Sequence, residues 1–155
     1  MANWGDVEFE QLIQLQERIQ NMTEYEADAF MRECVKGLAQ RLLRKVKQRT
    51  PVGVYEEGSG MSGGNLRRKW KISEIKKSAN CYEIIVINAS EYATYVENGH
   101  RQQPGRYVPV LGKRLKSAWV RGVFMLKVSE EEIQRVAPQI LEKKLKQKLK
   151  EVFND

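Results

Sequence analysis

Apolar positions recur three and four apart through the first third of the chain, and the period then changes. Phe9, Leu12, Ile13, Leu15 and Ile19 make one stripe, with Glu8, Glu10, Glu17 and Arg18 mostly off it, which predicts a helix over 7–22. Thr23 with Glu26 three residues later is a capping box. That arrangement satisfies two free backbone donors and so opens a second helix. Its stripe runs through Ala27, Phe30, Met31, Cys34, Val35, Leu38, Leu42 and Val46, and it ends near Arg49 because Thr50-Pro51 forbids continuation.

Residues 51–64 lose all periodicity and hold five glycines, Gly53, Gly58, Gly60, Gly63 and Gly64. A loop this long inside a small domain is expected to be functional, so 52–64 is read as a mobile segment that orders on assembly. Alternation follows. Leu66, Trp70 and Ile72 fall on one face and Arg67, Lys69 and Lys71 on the other, which predicts a strand over 66–75. The run Ile84-Ile85-Val86-Ile87 is apolar on both faces and predicts a central strand over 81–88, with 76–80 as the hairpin turn between them.

Ser90 is placed to cap a short helix carrying Tyr92, Ala93, Tyr95, Val96 and Glu97, closed at Gly99 by a left-handed turn. A polar turn over 100–106 leads to an edge strand over 107–110, where Pro109 excludes a central position. Residues 119–126 read as a further strand bent at Gly122. Ser129 and Glu132 repeat the capping box and open a last helix over 129–153. Ile133, Val136, Ile140, Leu141, Leu145, Leu149 and Val152 line one face of it, and Pro138 kinks or interrupts it. The elements together predict an α+β fold, a small mostly antiparallel sheet packed by long N-terminal and C-terminal helices.

The length of 155 residues fits a single domain over 1–155 with a core of its own. Cys34 and Cys81 have no metal-site spacing and read as two small buried hydrophobes. No apolar run approaches membrane-spanning length and the first residues lack a signal pattern, so the expectation is a protein made in a cytoplasm without membrane contact. The net charge of +7 is unevenly spread: residues 1–35 carry −6, 36–80 carry +9, 81–128 carry +4 and 129–155 balance. Such polarity suits head-to-tail contact between subunits, or a basic stripe against nucleic acid. The candidate cations are Arg67, Lys69 and Lys71 on the strand, with Arg41, Arg44 and Lys45 at the end of the second helix. The latter also suit the negative end of a helix dipole.

Catalytic patterns are sparse. His100 is the single histidine, and no G-x-S-x-G nucleophile turn appears. The glycines of 53–64 are followed by Asn65-Leu66-Arg67-Arg68 and not by the Lys-Ser/Thr of a phosphate loop. Cysteine and histidine are too few for a zinc site, whereas a carboxylate-only magnesium site is not constrained by spacing. The acids fall mostly on helices, where capping and solubility explain them. The expectation is a protein without catalysis, cofactor or metal.

Three ordered motifs carry a resemblance. Arg49-Thr50-Pro51-Val52 follows the long helix, and Gly64-Asn65-Leu66-Arg67-Arg68-Lys69-Trp70 follows the glycine-rich loop. Tyr92-Ala93-Thr94-Tyr95-Val96-Glu97-Asn98-Gly99-His100-Arg101 comes later. In this order, over roughly 25–153, the chain resembles the tail-component proteins of long-tailed phages and prophage-like elements, also called tail completion or head–tail joining proteins. The motif residues are Pro51, Leu66, Trp70, Tyr92, Ala93, Tyr95, Val96, Glu97, Gly99 and His100. The loop over 51–65 is longer and richer in glycine than the simplest family pattern.

The resemblance implies a structural protein of the neck or tail. It implies a homo-oligomeric ring of six subunits joining tail tube to head connector, with DNA passing non-specifically through the centre. Other neck, connector or tail-tube proteins would be its partners, and a virion or phage-like particle its final location. An alternative from the residues alone is a small stand-alone nucleic-acid-binding protein using Arg67, Lys69, Lys71 and the basic helix end.

Overall fold

Helix α1, Glu24–Arg49, follows the predicted stripe and stops just before Thr50-Pro51. The computed structural model describes residues 24–79 and 81–154, so the helix expected over 7–22, Thr23 and its cap lie outside the described residues. Helix α4, Met125–Asn154, is the C-terminal counterpart of α1. Arg49 meets Ser129, Lys45 meets Glu132 and Glu33 meets Lys144, so the two helices run antiparallel.

The chain between them departs from the alternation. Residues 65–68 form a one-turn helix, α2, Asn65–Arg68, where a strand is expected. Gly64 adopts left-handed backbone (φ 85, ψ 3) and lets the chain turn sharply. Leu66 and Trp70 are four apart, so both spacings place them on one face, and both are buried. Only Trp70–Ile72 is extended, as β1.

After it, β2, Lys76–Ser78, pairs antiparallel with β3, Cys81–Glu83, so most of the expected turn over 76–80 is strand. The expected central strand over 81–88 is divided into β3 and β4, Val86–Asn88, and β4 pairs antiparallel with β1. Neither piece is central: each has a single strand neighbour, and Ile85 and Ile87 are 40% and 48% exposed. The apolar run therefore covers the core with one face and leaves the other outward.

Helix α3, Ala93–Asn98, starts after Tyr92 and not at Ser90, whose buried hydroxyl does not cap it. Gly99 does take positive φ (82), but with ψ 172 it leads straight into extended chain. Residues 99–121 then form one projecting hairpin. At its base β5, Gly99–Arg101, pairs with β8, Trp119–Arg121. Farther out β6, Tyr107–Val108, pairs with β7, Lys113–Arg114. The register shifts by one residue between the two ladders, because the 102–106 connection, which turns at Pro104-Gly105, is one residue longer than the 115–118 connection opposite it. Pro109 opens a 3-10 turn, Pro109–Leu111, at the tip, where an edge strand is expected. All ladders are two-stranded and antiparallel, so the fold is α+β with small paired sheets.

The strand expected over 119–126 ends at Arg121, and Met125 already begins α4. Ser129 is therefore inside the helix and caps nothing. Its hydroxyl donates to the Met125 carbonyl at 2.6 Å. Pro138 sits within α4, which continues on both sides of it. The core gathers Val46, Leu66, Trp70 and Met125, with Leu42, Leu43, Val86, Ala93, Val96 and Leu126 against them. Cys34 is buried, and burial pushes its thiol up. Cys81 is exposed on β3, contrary to the expectation for it, and both thiols are free.

Candidate functional site

Two of the sequence motifs meet at the end of α1. The Thr50 hydroxyl donates to the Val46 carbonyl at 2.7 Å and accepts the Trp70 indole N–H at 2.8 Å, all buried. Arg67 donates through Nη2 to the Thr50 carbonyl at 2.8 Å, and Arg68 donates to the Gly63 carbonyl at 3.2 Å. A Cβ on Gly63 would stand 2.0 Å from the Gly53 carbonyl oxygen, so the loop closes at its neck by backbone contact that only glycine permits. Leu66 and Trp70 thus anchor the far side of the loop to the core, while Pro51 itself is exposed.

The third motif forms a second joint. The Glu97 carboxylate accepts the N–H of Leu126 and of Lys127, each at 2.9 Å, and so caps the first turn of α4 from another element. The carbonyls of Val96 and Glu97 accept the N–H of Val123 and Phe124 at 2.8 and 3.1 Å. A Cβ on Gly122 would lie 2.3 Å from the Glu97 carbonyl oxygen, and one on Gly99 2.4 Å from that of Val120. Ala93 and Val96 pack on the core, whereas Tyr92 and Tyr95 are exposed. His100 packs edge-on against Tyr95, ring centroids 5.7 Å apart.

The six cations singled out by sequence do not converge. The proposed stripe of Arg67, Lys69 and Lys71 dissolves because Arg67 lies on α2, a helical turn in which residues two apart do not share a face. Arg67 is also occupied at Thr50, Lys69 is half-buried, and Lys71 alone of the three points out from β1. Lys45 is paired with Glu132 at 2.6 Å, and Arg41 and Arg44 are exposed on α1.

The charged residues that do converge hold elements together. Glu132 receives both Lys45 and Arg49, and these cations hold its carboxyl below the usual glutamate range. Lys144 does the same for Glu33. Asp28 accepts Lys77 and Tyr82 at 2.7 and 2.6 Å and Arg32 at 2.6 Å, which hold it well below the usual carboxylate range. Lys77 and Arg32 are raised in turn, chiefly by Asp28.

With this geometry in view, the comparison of sequences is decisive. The model of the family described as "Bacteriophage HK97-gp10, putative tail-component" matches residues 13–99, more than half the chain. The chain belongs to this family. As an HK97-gp10-like tail component it is a structural protein of the phage tail, working among other phage structural proteins. The match contains all three motifs up to Gly99, the first residue of the hairpin, and ends before the rest of the hairpin and α4. No curated protein and no solved structure matches the chain significantly. Among the described residues no helix is long and apolar enough to cross a membrane, and no group of three or more His, Cys, Asp and Glu is placed to hold a metal ion.

Sequence reasoning missed two features of this tail component. One is the structural use of Thr50, Glu97 and Glu132, whose partners are remote in sequence. The other was legible: from 98 to 129 the chain has no acid, while the hairpin carries Arg101, Arg106, Lys113, Arg114, Lys116 and Arg121.

Proposed function

We propose that this tail component acts at the neck, closing into a ring of copies, six by family resemblance, that joins the tail tube to the head connector and lets DNA pass. The observation that carries the reading is where the motif residues are spent. Thr50, Arg67, Trp70, Glu97 and Gly99 are engaged in joints between elements, which suits a scaffold that must hold shape while its outer surfaces meet neighbours. In this reading the chain is made in the host cytoplasm, ends in the particle, and acts there by assembly and not by catalysis. Exposed Arg41, Arg44 and Lys71 supply mild positive charge of the kind that tolerates passing DNA without base readout.

Removing the gene from its parent phage tests the role. The expected outcome is filled heads and finished tails that stay unjoined, with joining restored when the protein is supplied in trans. Absence of tails altogether would move the protein from the neck into the tail itself. Incubation of the purified chain with DNA, peptide or nucleotide and magnesium or manganese should leave all three uncut. Cleavage lost on replacing one carboxylate would overturn the structural role.

A second reading is favoured by the acid-free stretch over 98–129. In it the chain is a small nucleic-acid-binding protein that acts alone. A monomer that shifts DNA at moderate salt would support it over the neck.

A further inference from the structure

The 99–121 hairpin presents a combination that water alone does not stabilise. At its tip Val110 and Leu111 are 67% and 57% exposed, with Tyr107 also exposed beside them. Arg106, Lys113, Arg114 and Lys116 flank that tip and no acid lies anywhere on the hairpin. Apolar side chains clustered at the end of a projecting ribbon mark a contact surface. The tip does not seat in its own molecule, since these side chains remain open to solvent.

The same chain carries a complementary recess. Between α1, α4 and the 82–86 segment lies a groove of about 520 Å³, lined by Val35, Leu38, Leu42, Ile84, Ile85 and Ile133. Glu83 and Glu130 stand at it, both exposed, and no basic side chain is among the described residues that line it. Its size suits a compact apolar group, and its acids match the cations that flank the tip.

We propose that the hairpin tip of one copy docks into this groove on the next, Val110 and Leu111 entering the apolar recess while Lys113 and Arg114 face Glu83 and Glu130. Tip and groove are different surfaces, so the contact is heterologous, the kind that propagates head to tail and closes into a ring when the rotation allows. The inference deepens the ring reading and rests on it. Charge selects this occupant over the chain's own first residues. Residues 1–23 hold Asp6, Glu8, Glu10 and Glu17 against Arg18, and would bring acid to an acidic rim. The exposed apolar side chains select it over DNA, whose phosphates would engage the cations and leave Val110 and Leu111 unused.

Sedimentation velocity of the full chain at physiological ionic strength tests the docking. Val110→Asp with Leu111→Asp should weaken self-association at least about a hundredfold, because two anchors lose their burial. Glu83→Lys with Glu130→Lys should weaken it about tenfold, and adding Lys113→Glu with Arg114→Glu to that variant should restore it. The decisive measurement mixes the tip variant with the groove variant. Each impairs a different half of the contact, so at a concentration where neither variant associates alone the mixture should form dimers and nothing larger. Circular dichroism checks that each variant is folded, and all changed positions are on the surface.

A tip variant that assembles like the wild type overturns the docking. If it also loses salt-sensitive DNA retention, the hairpin belongs to nucleic acid. Groove variants without effect overturn it as well, and leave the groove to the chain's own first residues. A wild-type chain that stays monomeric overturns the docking without touching the neck role, which is judged by whether the gene deletion leaves heads and tails unjoined.

Discussion

Thr50 holds its hydroxyl between the Val46 carbonyl and the Trp70 indole, and each partner is buried with it. Thr50→Val keeps the shape but leaves the indole N–H unpaired in the core, a loss of about 1–3 kcal/mol. Trp70→Phe removes that donor together with part of the packed ring. In a double-mutant cycle by denaturant unfolding the two changes should therefore couple and not add. Additive effects would mean that the hydrogen bond contributes nothing. Glu97 is the other telling residue. Glu97→Ala should cost about 1 kcal/mol of unfolding free energy, as lost helix caps do, and Glu97→Gln should cost less because one carbonyl oxygen remains to accept. Arg67→Glu should destabilise the folded chain by calorimetry, since it breaks the hold on the Thr50 carbonyl. A stripe of free cations would have predicted unchanged stability.

The joint between α1 and α4 is the element on which the rest hangs. Leu42, Leu43 and Val46 gather with Met125 and Leu126 in the core, and Glu132 with Lys45 and Arg49, and Glu33 with Lys144, tie the helices along their length. Both carboxyls ionise more readily folded than unfolded. Their contribution is therefore complete above the ordinary glutamate value of 4.5 and is lost as pH falls through the lowered folded value. Asp28 behaves alike on the link between α1 and the β2–β3 hairpin, its contribution complete above the ordinary aspartate value of 3.8 and lost as pH falls below it. Glu132→Gln should flatten the acid side of the stability–pH curve and leave the neutral-to-alkaline side parallel to the wild type. An unchanged acid limb in thermal melts at stepped pH would show that the pairs are spectators.

Across the whole molecule, burial is unevenly shared. Among the described residues seven hydrophobic side chains are buried, whereas nineteen large ones are exposed. A chain with so much apolar surface outward gains from neighbours, which agrees with a component of an assembly. The loop over 52–64 belongs to this scale. Its stems are pinned by Arg67, Arg68 and the Gly53–Gly63 contact, and its interior is held by two local hydrogen bonds from Ser59 and Met61. Hydrogen exchange should find fast amides over 54–62 in the free chain and slower ones in the particle, with the stems protected in both. Equal, strong protection in the two states would show a loop that assembly does not order.

What the sequence determined by itself is whatever depends on neighbours along the chain. The stripe of α1, its stop at Thr50-Pro51, the long C-terminal helix, the loop and its glycines, and the ordered motifs of the family were all legible, because helix period, proline and glycine act within a few residues. The tertiary structure decided every feature that needs a partner from elsewhere. Leu66 and Trp70 fit either period, and a turn at Gly64 chose the helix. Ser129 and Glu132 spell a capping box, but Glu97, reaching across from α3, caps α4 four residues earlier and leaves Glu132 free for Lys45 and Arg49. The apolar run over 84–87 promised a central strand, yet only one face is covered in a single chain. A hydrophobic pattern states which side chains leave water, and only the packed molecule states against what.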